Sequence, residues 1–480
     1  MLKDHLIARF MYHFQYEPTH SQLTAIDGIT DFLTTYLSKP VFLLKGYAGT
    51  GKTTLVASFV KMLDEIGLKS VLLAPTGRAA KVLSGMAGKP AFTIHKKIYR
   101  QTSSKDGFGG FNLNKNMLKD AIFIVDEASM IANDLYGSSL FGSGRLLDDL
   151  LQFVFDAPNC RLMLIGDTAQ LPPVGLSISP ALESLTFEGY GFSFSQVELT
   201  DVVRQEQQSG ILINATMLRE LLGSQQTINH YPIFSLAGFS DIIRLSGAGL
   251  MEELQNCYDR FGLEETLVVC RTNKRANMYN KGIRASILYC DDELSQGDYL
   301  LVMKNNYHWL KGNEEVSFIA NGDIAKVSRI KKHYELYGYR FVDITCQLVD
   351  YKEMEIDMRI NLDSIATDGA GFSATEQESF LKKVLEDYTD IPSVKKQYEA
   401  ARENDFYNAL QIKFAYAMTC HKAQGGQWKA VFVDLGYFTE EYLSHELVRW
   451  LYTAVTRATE RLYFVNFPKE FYGERSVVAH

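Results

Sequence analysis

The chain has 480 residues, 46% hydrophobic and 22% charged, an ordinary globular composition that at about 150 residues per domain leaves room for several cores. With 35 Gly and 11 Pro it is neither collagenous nor of low complexity. Lys and Arg number 49 against 57 Asp and Glu, a net charge of −8, which excludes a globally basic nucleic-acid coat but allows a local basic groove. The six cysteines, at 160, 257, 270, 290, 346 and 420, form no CxxC pair. This argues against a zinc site or disulfide scaffold and for a reducing compartment. The opening MLKDHLIARF carries Asp4 and Arg9 inside its apolar pattern, unlike a signal peptide, and no apolar run approaches the roughly 18 residues of a membrane span. The expectation is a soluble cytoplasmic protein without membrane contact.

In chain order, the first half alternates β-branched runs with helical patterns. Residues 41–44 (VFLL), 70–73 (SVLL), 121–125 (AIFIV) and 162–165 (LMLI) read as strands buried on both faces of a parallel sheet. Between the first two, apolar positions 55, 56, 59, 60, 62 and 63 mark a helix over 53–66. This is βαβ alternation, hence an α/β domain. Residues 96–120 break the pattern with a polar, Gly-rich stretch containing DGFGGF at 106–111. A second α/β run begins near Val197, includes 266–270 (TLVVC) with a helix from Asn273, and resumes at 414–418, 430–433 and 462–465. The interruption, about 298–410, holds alternating segments at 323–327 and 340–344, expected as antiparallel strands, then a charged helical segment over 375–408. The economical organisation is two α/β domains, each with an insertion.

Residues 46–53, GYAGTGKT, match GxxxxGK[ST] between an expected strand and helix. Glycines let backbone N–H groups turn toward phosphates, and the helix N-terminus adds positive potential. Lys52 would neutralise the β- and γ-phosphates, and the Thr53 hydroxyl would bind Mg²⁺. Asp126-Glu127 follows the strand over 122–125, at the sheet edge where open α/β folds place ligands. Asp126 would hold Mg²⁺, and Glu127 would polarise the attacking water. Gln170, in GDTAQLPPVG at 166–175, follows another strand and is expected to sense the γ-phosphate. Arg204 and Arg457 are the candidate cations from the second domain.

Taken together, the ordered motifs resemble the superfamily 1B DNA helicases, closest to the RecD-like and phage Dda type. GYAGTGKTT (46–54) resembles motif I, LLAPTGRAAKVLS (72–84) motif Ia, TIHKKIY (93–99) motif Ib, VDEASM (125–130) motif II and GDTAQLPPVG motif III. VVRQ (202–205) resembles motif IV, AYAMTCHKAQGGQW (415–428) motif V and LYTAVTRA (451–458) motif VI. Gln22 resembles the adenine-reading Q motif. The series covers residues 22–458. Two positions depart from the pattern: Tyr47-Ala48 stands where RecD-like chains usually carry Gly-Pro, and Ala423 where Ser is common.

The resemblance implies two RecA-like P-loop domains in tandem, clamping ATP with Mg²⁺ and moving 5′ to 3′ along single-stranded DNA. The first domain is expected over 1–95 and 121–190, with a wedge insert over 96–120. The second is expected over 191–323 and 411–480, with an insert over 324–410 that holds a small β-barrel begun by the turn Asn321-Gly322-Asp323. Gly49, Thr50, Gly51, Thr54 and Gly425 join Gln22, Lys52 and Thr53 as expected nucleotide contacts. Pro75, Thr76, Arg78, His95, Lys96, Lys97, Thr419 and His421 are the expected nucleic-acid contacts. The implied partners are single-stranded and forked duplex DNA, met by a functional monomer.

Charge distribution supports that face independently. From Thr76 to Lys105 there are seven cations (Arg78, Lys81, Lys89, Lys96, Lys97, Arg100, Lys105) and no Asp or Glu, the footprint of a local positive surface. Phe92, Tyr99, Phe108, Phe111 and Trp428 are candidate base-stacking aromatics. In the insert, Gly107, Gly109 and Gly110 favour a tight turn that would carry Phe108 and Phe111 to the duplex junction. An RNA-remodelling ATPase remains as an alternative, because contacts to 2′-hydroxyls are not written in motifs; a nucleotide-switched binding module is the other, and the complete hydrolysis motifs, Glu127 included, argue against it.

Overall fold

The computed structural model describes residues 2–101, 111–133, 142–189, 191–203, 209–224, 228, 230–310, 318–349, 351, 354–369 and 371–474. Its first eight strands are β1 (Pro40–Gly46), β2 (Lys69–Ala74), β3 (Ala91–Thr93), β4 (Tyr99–Gln101), β5 (Phe111–Leu113), β6 (Ala121–Val125), β7 (Arg161–Gly166) and β8 (Ser193–Leu199). Six form one sheet in the order β3-β2-β6-β7-β1-β8, every pair parallel. Alternation across this sheet explains the continuous apolar runs. Val41 and Leu43 of β1 enter one core, whereas Phe42 and Leu44 enter another. Phe123 and Val125 of β6 likewise join the first core, and Ile122 and Ile124 the second. The helix Lys52–Glu65 covers one face with Leu55, Val56, Phe59, Val60 and Leu63. The helix Leu146–Phe155 covers the other with Leu147, Leu150, Phe153 and Val154. Each such buried side chain contributes about 1.5–3 kcal/mol of transfer free energy.

The second half supplies β9 (Ile242–Leu245), β10 (Thr266–Cys270), β11 (Tyr299–Val302), β12 (Ile324–Leu336), β13 (Tyr339–Leu348), β14 (Glu355–Asn361), β15 (Leu410–Phe414), β16 (Ala417–Thr419), β17 (Trp428–Asp434) and β18 (Ala458–Val465). A second all-parallel sheet runs β16-β10-β17-β18-β9. Strands β11 to β15 close into a barrel. The expected charged segment forms two helices, Ala374–Leu385 and Val394–Glu403. A satellite core of Phe341, Phe380, Val384 and Ala401 seats them on the β12–β13 hairpin. The architecture is therefore α/β, with two parallel sheets, a hairpin insert in the first and a barrel-containing insert in the second.

Strand pairing moves two expected boundaries. β8 pairs with β1 over Pro40–Gly46 and Ser193–Leu199, so the first sheet reaches Leu199 rather than ending at 190. The barrel begins at β11, before the expected start at 324, because Leu300 pairs with both Ala325 and Phe414. Residues 414–418, expected as one strand, divide: β15 closes the barrel and β16 enters the second sheet. Within the insert at 96–120, β4 and β5 pair antiparallel; the expected turn with Gly107, Phe108, Gly109 and Gly110 lies outside the described residues. No helix among the described residues is long and apolar enough to cross a membrane.

Candidate nucleotide and nucleic-acid site

The loop after β1 has the backbone that its glycines allow. Gly49 and Gly51 take φ of +75° and +77°, a left-handed conformation that disfavours any Cβ. Gly51 is the N-cap of the helix Lys52–Glu65, so the orphan N–H groups of its first turn open toward the loop. Thr50 is buried, its hydroxyl donating to the Tyr47 carbonyl at 2.8 Å. Lys52 Nζ donates to the Gly46 and Tyr47 carbonyls at 2.7 and 2.8 Å, which holds the ammonium over the loop. Thr53 is half-buried and Thr54 exposed on the first helical turn.

Gln22 braces this loop from outside. Its helix, His20–Thr34, starts with a capping box in which Thr19 N–H donates to Gln22 Oε1 at 2.9 Å. Gln22 Nε2 donates to the Thr50 carbonyl at 2.9 Å and would lie 2.6 Å from a Cβ at Gly51. The expected adenine-reading amide is thus turned to the P-loop backbone.

Asp126 and Glu127 sit at the carboxyl end of β6, whose neighbours in the sheet are β2 and β7. Burial first, and then the adjacent Glu127 carboxylate, push the Asp126 carboxyl up to about 6; the Glu127 N–H and the Lys52 charge pull the other way. Glu127 is itself strained. Its φ of +54° and ψ of +39° are left-handed for a residue with a Cβ, a conformation that costs about 1–2 kcal/mol and clusters at functional positions. The twist begins the short helix Ala128–Met130, and Glu127 N–H donates to Asp126 Oδ1 at 2.8 Å.

The loop after β7 is gripped from the second domain. Tyr452 and Thr453 lie on the helix His445–Val455. The Tyr452 hydroxyl donates to Asp167 Oδ2 at 2.6 Å and accepts from the Ala48 N–H at 2.8 Å. Thr453 Oγ1 accepts from Leu171 N–H at 2.8 Å, Gln424 Nε2 donates to the Leu171 carbonyl at 2.6 Å, and Arg449 donates to the Thr168 carbonyl. Gln170 is buried here, and its Oε1 has no hydrogen-bond partner among the described residues. Such an atom is costly unless a ligand or water meets it.

Of the two arginines, Arg204 lies outside the described residues. Arg457 is 3% exposed, and its hydrogen bonds run within its own domain rather than to the P-loop. Its guanidinium donates to the carbonyls of Thr453 and Gly426 at 3.0 and 3.1 Å and to Thr456 Oγ1 at 3.2 Å.

Of the expected nucleic-acid residues, Thr76 and Arg78 lie where the two domains meet, and several of the set are engaged by protein. Pro75 and Thr76 follow β2, and Thr76 Oγ1 caps the helix Gly77–Ala87 by accepting from Ala79 N–H at 3.2 Å. Gly425 (φ +75°) lies so close that a Cβ there would sit 3.0 Å from both Thr76 Oγ1 and the Ala79 Cβ. Arg78 stacks on Trp428 and donates to the Gln427 carbonyl. Lys89 pairs with Asp64 at 2.6 Å, and Lys81 donates to the Val349 carbonyl. The seven-cation stretch is therefore partly neutralised; Lys105 lies outside the described residues. Lys96 and Lys97 stand 5.6 and 5.7 Å from the Phe92 ring centroid, and burial lowers the Lys97 pKa. His95 is half-buried, and loss of hydration pushes its pKa down to about 4. Thr419 ends β16, and His421 is exposed one turn on.

Three expected stacking aromatics are core instead. Trp428, Tyr99 and Phe111 are all buried. The Tyr99 hydroxyl donates to Asp149 at 2.7 Å, and the Phe111 ring lies 4.5 Å from that of Tyr307. Phe92 is half-buried, and Phe108 is outside the described residues. Each of the three large rings gains more from packing than from an open face.

An AAA-domain family model matches residues 30–221, and a UvrD-like helicase C-terminal domain model matches residues 414–465. The ATP-dependent DNA helicase Dda of Enterobacteria phage T4 is 26% identical over 443 residues, covering 88% of this chain and 93% of Dda. The ATP-dependent RecD2 DNA helicase of Deinococcus radiodurans is 25% identical over 431 residues, 88% of this chain. The chain is thus similar, over most of its length, to ATP-dependent DNA helicases of the Dda and RecD2 type. A solved Bacteroides Pif1 helicase with ADP-AlF3 and ssDNA covers 95% of this chain and 94% of its own, at 15% identity and a TM-score of 0.46. The chain spans 46% of RecD2's length and 38% of a Methanocaldococcus jannaschii protein that it matches at 24% identity.

In this chain, the residues that join the domains were not visible as functional from the sequence. Tyr452, Thr453 and Arg449 sit in or beside motif VI, and Asp167 in motif III, without an assigned role. Only Tyr47-Ala48, as a departure from the family pattern, signalled them. Among the described residues no cluster of three or more His, Cys, Asp and Glu forms a metal site.

Proposed function

We propose that the chain is an ATP-driven translocase that moves 5′ to 3′ on single-stranded DNA and unwinds forked duplex, acting as a monomer in the cytoplasm. One observation carries the reading. The P-loop lies beside the Asp126 carboxyl and is joined through Tyr452 to the loop that holds Asp167 and Gln170.

In this reading, N–H groups of Gly49, Thr50, Gly51 and Thr54 cradle phosphates, Gln22 reads adenine through the hydrogen and lone pair that its bracing bonds leave over, and Gly425 lets motif V approach. Lys52 exchanges its two loop carbonyls for β/γ-phosphate oxygens, a stronger, charge-assisted bond. Glu127, held by its left-handed backbone, takes the proton of the attacking water. Gln170 directs its unpartnered Oε1 toward that water. Arg204 and Arg457 supply charge as the transition state forms, which requires Arg457 to leave its carbonyl partners. The residues fit a divalent cation, since the half-buried Asp126 has its carboxyl raised by loss of hydration and then by a neighbouring carboxylate, a shift that a cation would reverse. Thr53 and Asp126 would hold Mg²⁺, which when bound neutralises phosphate charge. Pro75, Thr76, Arg78, His95, Lys96, Lys97, Thr419 and His421 line the strand path.

Forks with a 5′ or a 3′ single-stranded tail, in DNA and in RNA, test this reading. ATP-dependent separation only of the 5′-tailed DNA is expected, and Lys52→Ala should abolish it. Equal action on 3′ tails, or strand separation by Lys52→Ala, would overturn it.

A further inference from the structure

The two P-loop residues that depart from the family pattern are also the ones that reach the second domain. Tyr47 and Ala48 both pack against the second domain's core. The Ala48 N–H donates to Tyr452 Oη, and that hydroxyl donates onward to Asp167 Oδ2. The direction of this chain is fixed, because an amide N–H can only donate and an ionised carboxylate only accepts. Tyr452 is 1% exposed, so water does not replace either bond cheaply. Beside it, the guanidinium of Arg219, on the second-domain helix Gly210–Gly223, lies 4.7 Å from the centroid of the Tyr47 ring. A Gly-Pro pair at 47–48 would have neither feature: Gly lacks the ring, and Pro lacks the N–H.

We propose that Tyr47 and Ala48 on the P-loop, with Arg219 and Tyr452 from the second domain, form a latch that holds the two domains together before nucleotide arrives. The nucleotide loop itself is the catch. Ala48 N–H belongs to the loop that would cradle phosphates, so any shift of that loop on binding or release is felt directly by the motif VI helix. With the latch made the protein is closed, and opening requires the Ala48–Tyr452 bond to break. A buried bond of this kind, ending on a carboxylate, shifts the closed-to-open ratio by about tenfold or more.

Interdomain energy transfer in the protein without nucleotide or DNA tests the latch. Dyes are placed at the exposed positions Leu185 and Tyr437, with Cys290 replaced by Ser. Tyr452→Phe deletes only the hydroxyl, Ala48→Pro deletes the N–H while closing a ring that fixes φ, and Arg219→Ala loosens the ring contact without altering the P-loop. Each should lower the closed fraction, the first two by about tenfold in the closed-to-open ratio. The double variant Ala48→Pro/Tyr452→Phe should open little further than Tyr452→Phe alone, because the bond that Ala48→Pro removes is already lost with the hydroxyl. Unchanged transfer in well-folded single variants, or fully additive opening in the double, would overturn the latch. If Tyr452→Phe fails to fold, Ala48→Pro and Arg219→Ala decide the matter by the same readout. No ATPase or unwinding step enters the measurement, so failure of the helicase reading and failure of the latch are distinguishable.

Discussion

The guanidinium of Arg78 lies 4.1 Å from the centroid of the Trp428 ring system, and Nη2 of the same residue donates to the Gln427 carbonyl at 3.1 Å. This cation–π contact joins the helix after β2 in the first domain to the start of β17 in the second. It also removes Trp428 from the list of base-stacking surfaces, since its indole is 3% exposed. Trp428→Leu should leave oligo-dT affinity within about threefold, measured by fluorescence anisotropy. Loss of a true stacking platform would cost about 1–3 kcal/mol, or roughly 5- to 150-fold, and a drop of that size would place a base on the indole.

Glu127 combines a catalytic assignment with backbone strain. Glu127→Gln should bind ATP with near-normal affinity yet turn over at least about 100-fold more slowly, the scale of a lost general base. Glu127→Gly should be equally inactive but up to about 1 kcal/mol more stable, because glycine relieves the left-handed penalty. Single-turnover hydrolysis and urea unfolding read the two effects separately. Persistent turnover with weakened ATP binding would make Glu127 structural.

Arg457 should matter twice. Its alanine variant leaves the Gly426 carbonyl without its guanidinium donor, at about 1–3 kcal/mol when a buried group is left unsatisfied, whereas the Thr453 carbonyl keeps the Thr456 hydroxyl. It should also lower kcat by about 10³, the range of arginine fingers, with a much smaller change in nucleotide affinity. Unfolding and steady-state kinetics on one preparation check both. A stability loss with normal kcat would assign Arg457 to the fold alone.

Salt dependence locates the phosphate contacts. Lys96→Glu with Lys97→Glu should reduce the slope of log affinity against log salt by about 1–2, at roughly 0.7 per phosphate contact on a single strand. Basal hydrolysis should persist, since neither lysine reaches the P-loop. Lys89→Ala should leave the slope unchanged, because Lys89 is already paired with Asp64. An unaltered slope in the first variant would put the strand elsewhere.

His95 gives a pH signature. Its folded pKa of about 4 lies below the ordinary 6.5 because burial disfavours the imidazolium, with Asp149 opposing. Between those values the unfolded chain binds a proton that the folded chain does not. The contribution of this ring to stability is therefore complete above about pH 6.5 and is lost as pH falls toward 4. At pH 6 the ring is neutral, and any contact with a phosphate is a hydrogen bond rather than an ion pair. An NMR titration should place its midpoint near 4; a midpoint above 6 would show a solvated, charge-bearing ring.

Much of the chemistry is local and was therefore legible in the chain itself. A phosphate loop needs Gly49 and Gly51 where φ is positive, with Lys52 and Thr53 at the helix start. Runs such as 121–125 advertise burial on both faces because every side chain of a central parallel strand meets a core. Family motifs supplied the order of the parts. Neither local pattern nor motif order says which elements become neighbours. Pairing to β1 put β8 in the first sheet, and barrel closure drew in β11 and β15, because both outcomes depend on hydrogen bonds between residues far apart in sequence. The same holds for function. The cation stretch after Thr76 looked open, yet Asp64, Gln427, Val349 and Trp428 arrive only on folding and engage part of it. Arg457 read as a cleft cation, but its own domain offers buried carbonyls that must be satisfied. Tyr452 is 404 residues from Ala48, and no period or spacing connects them. Only the packing of two domains brings a phenol between an amide and a carboxylate, where a hydroxyl that both donates and accepts can satisfy both.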